Sequence, residues 1–166
     1  MGLLAFGLLT DPVFWAVFIV GACFPVSLWL LYAGHWPTGP SHLHALLALS
    51  PAEFEELVGA LLAPLGYRDI RLVGGANDRG VDVLATDRDG KRVAIQCKRY
   101  QPDRNVTSSK VQTFLGGMVT YRADKGLIVT TSLFSAPARR LATERNIRLI
   151  DGAELIRLID QHNLDI

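Results

Sequence analysis

The residues best suited to chemistry in this sequence are an acid, an amide and a lysine in two neighbouring β-prone runs. Alternation along Arg92–Tyr100 places Gln96 and Lys98 on one strand face, and Asp82 lies between two valines in the preceding run. Carboxylate and amide oxygens suit a hard divalent cation, and an ammonium group can stabilise negative charge that develops during a reaction. A solvated strand face, or a salt bridge between Lys98 and Asp82 without catalysis, is the simpler alternative.

The turn between the two runs decides whether Asp82 and Gln96 meet. A two-residue turn would place Asp82 opposite Cys97 and on the other face of the sheet. A three-residue turn over Arg88–Gly90, with Gly90 in the left-handed conformation, would place Asp82 opposite Gln96. We predict the three-residue turn.

A helix beside these strands offers a fourth candidate group. It is predicted to begin at Pro51, because Ser50 and Glu53 form a capping box around that residue. At about 100° per residue, Glu55 falls at the border of the apolar stripe of this helix, whereas Glu56 points away from it. Glu55 can therefore reach a site between the helix and the strands, and Glu56 is expected to be solvated.

Hydrophobic patterns after this helix predict an alternation of strands and helices. The first three strands form a predicted meander, because short turns containing Gly and Asp separate them. The whole order is α-β-β-β-α-β-α-β-α, which indicates an α/β fold. After the first helix we predict strands near Tyr67–Val73, Val81–Thr86 and Arg92–Tyr100, a helix over Ser109–Arg122, a strand at Leu127–Thr131, a helix over about Ser135–Arg145, a strand at Ile147–Ile150 and a last helix from Gly152.

The N-terminal part of the chain predicts a membrane-spanning helix. No Asp, Glu, Lys or Arg occurs from Pro12 to Ala52, and residues 13–33 are almost wholly apolar. At about 1.5 Å rise per residue, this length reaches roughly the 30 Å of a hydrocarbon core. A cleaved signal peptide would need positive charge before the apolar run, and a lipoprotein site at Cys23 would leave the apolar residues after it unexplained.

Three parts of the chain are therefore expected: a membrane segment over residues 1–36, a linker over residues 37–48 and a folded domain over residues 49–162. All 17 Lys and Arg residues lie at or after Arg68, together with 12 of the Asp and Glu residues. This positive balance suits a polyanionic partner, although the signal is weak by itself. No cysteine and histidine cluster with zinc spacing, Walker loop or dinucleotide fingerprint occurs.

Several short motifs occur in one order across the predicted domain. They are Phe54-Glu55, Leu65-Gly66-Tyr67, Asn77-Asp78-Arg79-Gly80-Val81-Asp82, Gln96-Cys97-Lys98-Arg99-Tyr100, Val129-Thr130-Thr131 and Ile150-Asp151-Gly152. With these motifs, the stretch from about Leu49 to Ile159 resembles the Mrr-type restriction endonuclease domain, within the PD-(D/E)xK nuclease fold. In that family's terms, Asp82 is the first motif acid and Lys98 the motif lysine. Gln96 stands where many relatives of the wider fold have Asp or Glu, and the glutamine form is typical of the Mrr branch.

The resemblance implies a restriction-endonuclease-like mixed central sheet flanked by helices, preceded in this chain by the transmembrane helix. It implies metal-dependent cleavage of DNA in defence against foreign or modified DNA, with Asp82, Gln96 and Lys98 as catalytic residues. The position of Glu55 on the helix adds it as a fourth catalytic candidate. Mg²⁺, or Mn²⁺, would be bound by Asp82, the Gln96 side-chain oxygen and the Cys97 backbone carbonyl, with Glu55 as a further ligand directly or through water. Lys98 would orient the attacking water and stabilise negative charge.

The expected partners are double-stranded DNA and a membrane, and a homodimer is left open. DNA would be bound mainly through its phosphates, with Arg79, Arg99, Arg104 and Lys110 as candidates, although each could equally be ordinary surface charge. We expect a single-pass protein with its nuclease domain in the cytoplasm, an orientation inferred from function alone because no charges flank the span. The alternative function is a DNA-binding or sensing module that does not cut, or a domain that mainly assembles with partners.

Overall fold

The computed structural model describes residues 40–73, 75 and 79–166. Helices and strands alternate along this part of the chain, in the order that the sequence predicts from Pro51 onward. The elements are α1 (Pro40–Ala48), α2 (Pro51–Leu62), β1 (Arg68–Leu72), β2 (Val83–Thr86), β3 (Arg92–Lys98), α3 (Ser108–Thr120), β4 (Lys125–Thr130), α4 (Ala136–Glu144), β5 (Ile147–Ile150) and α5 (Gly152–Gln161).

The strands of the described residues form one mixed sheet in the order β1-β2-β3-β4-β5. β1, β2 and β3 are paired antiparallel, which confirms the predicted meander. β4 and β5 are parallel to β3, because α3 and α4 carry the chain back across the sheet before each of them. β3 is therefore the central strand, with an antiparallel neighbour on one side and a parallel neighbour on the other.

Apolar side chains cover the sheet on both faces. One buried cluster joins α1, α2 and α5 to β3 through Ile95 and Cys97. The second cluster joins α3 and α4 to the opposite face through Ala94 and Ile128. The predicted alternation of faces along β3 is thus present, and a mixed α/β fold with a five-stranded sheet flanked by helices is confirmed.

Three predictions for the N-terminal part of the chain have different outcomes. The capping box is confirmed, because Glu53 N–H donates to Ser50 Oγ (3.2 Å) and Ser50 N–H donates to Glu53 Oε2 (2.6 Å). Part of the predicted linker over residues 37–48 instead forms α1, since Leu46 is fully buried in the first cluster and holds this segment against the domain. The predicted membrane span, residues 13–33, lies outside the described residues, and within the described part no helix is both long and apolar enough to cross a membrane.

The hairpin between β2 and β3 has the predicted three-residue turn. Val83 pairs with Ile95 and Thr86 with Arg92, and Gly90 has a φ of 75°. Lys125 Nζ lies 2.6 Å from Asp87 at the base of this turn, and that hydrogen bond lowers the pKa of the Asp87 carboxyl. The register of the hairpin is therefore set by a left-handed glycine and reinforced by an ion pair.

We predict that Gly90→Ala lowers the free energy of unfolding by about 1 kcal/mol, because an L-residue with a Cβ is strained at positive φ. Open space surrounds this position, so steric contact adds nothing to the effect. Gly90→Asn is the matched variant and should lose less, since asparagine tolerates the left-handed region. Urea unfolding measures both values, and an unchanged stability of Gly90→Ala would contradict the strain.

Candidate active site

Asp82 lies immediately before β2, where the regular pairing with β3 ends. Its N–H donates to the Ile95 carbonyl (2.9 Å), and Val83 is the register partner of the same Ile95. Two consecutive residues therefore face one residue of β3, which is the arrangement of a β-bulge. Bulges redirect side chains near sheet ends, and this one redirects the Asp82 carboxylate.

The Asp82 carboxylate is buried against the backbone of β3. Its Oδ2 accepts a 2.6 Å hydrogen bond from the Cys97 N–H, and the residue is only 5% exposed. The expectation that Asp82 would stand opposite Gln96 is therefore corrected. The register of the hairpin is as predicted, but the bulge carries the carboxylate past Gln96 to the backbone of Cys97.

The Cys97 backbone presents a second polar group on the same side. In a strand, the N–H and C=O of one residue point toward the same neighbour. Because the Cys97 N–H points toward Asp82, the Cys97 carbonyl is directed to that side as well. Regular β2 pairing ends at Val83, so the bulged segment lies beside this part of β3 in place of a regular strand.

Gln96 is buried, and its two amide atoms have different environments. Nε2 donates to the Gly80 carbonyl at 2.6 Å. Oε1 has no hydrogen-bond partner among the described residues, and solvent barely reaches it because the residue is only 2% exposed. A buried carbonyl oxygen without a partner is unfavourable unless a ligand or water satisfies it. The structure therefore presents an oxygen donor that its own chain does not use.

Glu55 and Lys98 lie near these groups, as their effect on the Cys97 thiol indicates. Burial is the main cause of a thiol pKa well above its usual range, and the charges of Asp82 and Glu55 raise it further. Lys98 acts in the opposite direction. Glu55 from α2, Asp82 before β2 and Lys98 at the end of β3 thus all lie close enough to the Cys97 side chain to act on it electrostatically. Glu56 is exposed.

The end of β3 and the residues after it are held by the last residue of β4 and the residue that follows, to which the sequence analysis assigned no role. Thr130 Oγ1 donates to the Lys98 carbonyl (2.7 Å), and Thr131 Oγ1 donates to the Tyr100 carbonyl (2.7 Å). Both threonines are buried. Two adjacent hydroxyl residues at the end of an apolar strand are a signal that could have indicated this role. They hold the backbone that carries Lys98.

The four basic residues predicted to bind DNA have different surroundings. Arg79 donates to Thr120 Oγ1 (3.1 Å), and the Arg104 guanidinium lies over the Tyr100 ring at 4.6 Å. Lys110 is exposed. Arg99 Nη1 donates to the Leu47 carbonyl at 2.6 Å, which is in the last turn of α1. Cations are favourable at helix C-termini, so Arg99 holds α1 on the domain.

The donors near the end of β3 fit a hard cation by their chemistry. Within the described residues, no group of three or more His, Cys, Asp and Glu side chains is placed to hold a metal ion. The predicted set instead combines carboxylates with an amide oxygen and a backbone carbonyl, all of which are oxygen donors of the kind Mg²⁺ prefers. The unpartnered Gln96 Oε1 is the observation that agrees with this set.

Comparison with known proteins identifies the family of the folded domain. The family model Mrr_cat, a restriction endonuclease, matches residues 46–159. The chain belongs to this family. Within the Mrr family, a similar curated protein is the type IV methyl-directed restriction enzyme EcoKMrr of Escherichia coli (strain K12), 34% identical over 131 residues. The alignment covers 75% of this chain and 42% of that enzyme, so the chain corresponds to less than half of the relative.

Solved structures support the fold. The DNA modification-dependent restriction endonuclease AspBHI has a TM-score of 0.64 at 21% identity, over 80% of this chain and 38% of that chain. A protein of unknown function, AF1548, has a TM-score of 0.57 at 20% identity, over 67% of this chain and 66% of that chain. The restriction-endonuclease-like fold implied by the motifs is confirmed by these comparisons.

We predict that the Cys97 thiol resists iodoacetamide at about pH 8 in the folded protein, because thiolate is the reactive form and a raised pKa reduces it. Urea should make the thiol reactive, since burial is the main cause of the shift. Peptide mass spectrometry distinguishes Cys97 from Cys23. Rapid labelling of Cys97 without urea would contradict the buried geometry.

Proposed function

We propose that this protein is a metal-dependent endonuclease that hydrolyses DNA phosphodiester bonds in the restriction of foreign or modified DNA. The observation that carries the proposal is the buried Gln96 Oε1, which has no hydrogen-bond partner among the described residues. It lies on the strand that also carries Lys98 and whose backbone bonds the Asp82 carboxylate. A restriction endonuclease family and a restriction enzyme as a relative support the same reaction class.

Four groups of this chain would hold Mg²⁺ or Mn²⁺: the Asp82 carboxylate, Gln96 Oε1, the Cys97 carbonyl, and Glu55 directly or through water. When bound, the cation polarises the scissile phosphate and lowers the pKa of bound water. Gln96 adds an oxygen without adding charge, so two carboxylates provide the negative charge of this set. Metal affinity should accordingly be modest.

The chain's own residues provide orientation and electrostatic stabilisation. The Cys97 N–H donates to one Asp82 oxygen and so fixes the orientation of the carboxylate. Lys98 orients the attacking water, favours its deprotonated form and stabilises the charge that develops on the phosphate oxygens. The bonds from Thr130 and Thr131 keep the strand end that carries Lys98 in place.

Double-stranded DNA is the proposed partner, bound chiefly through its phosphates. EcoKMrr is a methyl-directed restriction enzyme and AspBHI is a DNA modification-dependent one, which supports modified DNA as the target class. Arg79, Arg104 and Lys110 are exposed and are the proposed phosphate contacts. A homodimer would place two such sites on one duplex.

We predict that Lys98→Ala lowers Mg²⁺-dependent plasmid cleavage by about 100-fold or more, since it removes a group that stabilises the transition state. Asp82→Asn should do the same, and EDTA should abolish cleavage by the wild-type protein. Lys91→Ala is the matched control, because Lys91 is exposed at the far end of β3. Agarose gels of methylated and unmethylated plasmids measure the rates.

The same assay distinguishes the two candidate functions. Retained duplex binding by Lys98→Ala, with lost cleavage, supports the enzyme. A wild-type protein that binds DNA but cuts neither plasmid with Mg²⁺ or Mn²⁺ would refute the enzyme and favour the binding module.

We predict that Arg99→Ala lowers the free energy of unfolding by about 1–3 kcal/mol, because the Leu47 carbonyl loses a charged donor. The salt dependence of DNA binding should stay unchanged, since the Arg99 guanidinium is used inside the protein. Lys110→Ala is the comparison: its stability should be unaltered and its salt slope smaller by about 1. Fluorescence anisotropy across a salt series measures the slopes, and a reduced slope for Arg99→Ala would identify Arg99 as a phosphate contact instead.

A membrane tether over residues 13–33 is the second part of the proposal, supported by the uncharged stretch from Pro12 to Ala52. The nuclease domain would lie on the cytoplasmic side, where DNA is present.

We predict that the full chain stays in the membrane pellet after alkaline carbonate extraction. Ile19→Arg with Phe24→Arg should shift it to the supernatant, because each central arginine costs about 2.5–3.5 kcal/mol. Release of the wild-type chain by carbonate alone would refute the tether.

A further inference from the structure

The turn that precedes Asp82 packs directly onto α3 at a glycine. Arg79 and Gly80 both have positive φ, 51° and 79°, and Val81 is fully buried. A methyl group on Gly117 would lie 2.8 Å from the Arg79 carbonyl oxygen and 2.7 Å from Val81 Cγ2. Both distances are shorter than real carbon contacts, so the backbone of the turn occupies the place of a side chain on α3.

The neighbouring glycine of α3 has no such contact. Gly116 is exposed, and open space surrounds the position of a methyl group there. One turn of helix onward, Thr120 Oγ1 accepts from Arg79 Nη1 (3.1 Å) and donates to the Gly116 carbonyl (3.0 Å). α3 therefore holds the turn in two ways, by close backbone packing at Gly117 and by a side-chain bond at Thr120.

The Arg79–Val81 turn, held by α3, determines which atom of the Gln96 amide forms a hydrogen bond within the protein. The Gly80 carbonyl accepts from Nε2 at 2.6 Å, so the amide nitrogen faces the turn. A Cβ on Gly80 would overlap Nε2, so a side chain at this position would have to displace the Gln96 amide. With the nitrogen held there, Oε1 is the atom left buried without a partner. A rotation of the amide would set two oxygens against each other at Gly80.

We propose that Gly117 is a positioning residue for the metal site: it admits the Arg79–Val81 turn, whose Gly80 carbonyl orients Gln96 so that oxygen is presented to the cation. The inference rests on the proposed function, because it assumes that Gln96 Oε1 is a ligand. The contact with Gly80 also explains how the neutral Gln96 amide can present an oxygen to a cation. A carboxylate at the same position would need no such orientation. A carboxylate has two equivalent oxygens, whereas a glutamine presents an oxygen only if its nitrogen is held elsewhere.

The test compares two adjacent alanine substitutions in the full-length, detergent-solubilised chain. Titration calorimetry with Mn²⁺ alone, without DNA, measures metal affinity for wild type, Gly117→Ala and Gly116→Ala. Gly117→Ala should bind Mn²⁺ about 10–100-fold more weakly, the usual effect of losing an outer partner of a ligand. Gly116→Ala should bind within about twofold of wild type, since its methyl group meets nothing.

Two more variants separate positioning from general destabilisation. Asn146→Ala is destabilised in the turn before β5, because alanine is disfavoured at a φ of 55°, and it should retain wild-type metal affinity. Thr120→Val removes the Arg79 contact at an exposed position, and it should weaken Mn²⁺ binding severalfold even if Gly117→Ala fails to fold.

Each outcome has a distinct meaning. Wild-type Mn²⁺ affinity in folded Gly117→Ala, or in Thr120→Val if Gly117→Ala is unfolded, overturns the positioning role and leaves the endonuclease proposal standing. An equal loss in Asn146→Ala also overturns it, because the effect would then follow stability. Wild-type protein that binds no Mn²⁺ in this assay and cuts no plasmid with either metal refutes the proposed function itself.

Discussion

The hydrogen bond from the Cys97 N–H to Asp82 Oδ2 is the interaction on which the arrangement of the site depends. It joins the central strand to the residue before β2 at the point where regular pairing stops. A buried carboxylate without such a donor would be strongly destabilised, and a charge-assisted bond of this kind is among the stronger hydrogen bonds in proteins. The bond requires the three-residue turn at Gly90 and the bulge at Asp82 together. A change of register by one residue would move Asp82 away from Cys97.

Around this bond, the fold places polar groups inside an apolar environment. Clusters on both faces exclude water from the middle of β3, and the polar residues buried at its end are then constrained by a few specific donors and acceptors. Gln96, Thr130 and Thr131 each bond to a backbone carbonyl. In a low-dielectric interior these bonds are strong, and any group left unsatisfied is correspondingly unfavourable. For this reason Gln96 Oε1, which has no partner among the described residues, indicates a position where a ligand or a water molecule would be favourable.

α1 is packed against this interior. Leu46 is buried with the residues of α2 and α5, and Arg99, directly after Lys98, bonds the last turn of α1. The strand end that carries Lys98 is therefore held from two directions, by β4 through threonine hydroxyls and by α1 through a guanidinium. Arg99 is one of four candidates for DNA binding in the sequence, and its contact with a residue 52 positions earlier in the chain cannot be predicted from a local pattern.

The amino-acid sequence by itself determined the order of elements, the capped start of α2, the faces of β3 and the turn at Gly90, because these follow from periodicity and local backbone chemistry. It also indicated the chemistry of Glu55, Asp82, Gln96 and Lys98 through motif spacing. Only the tertiary structure decided that Asp82 bonds Cys97 through a bulge, that Gly80 and Gly117 orient Gln96, and that part of the expected linker is a packed helix. These features depend on contacts between segments far apart in the chain, and no local pattern encodes which carbonyl a buried amide will meet.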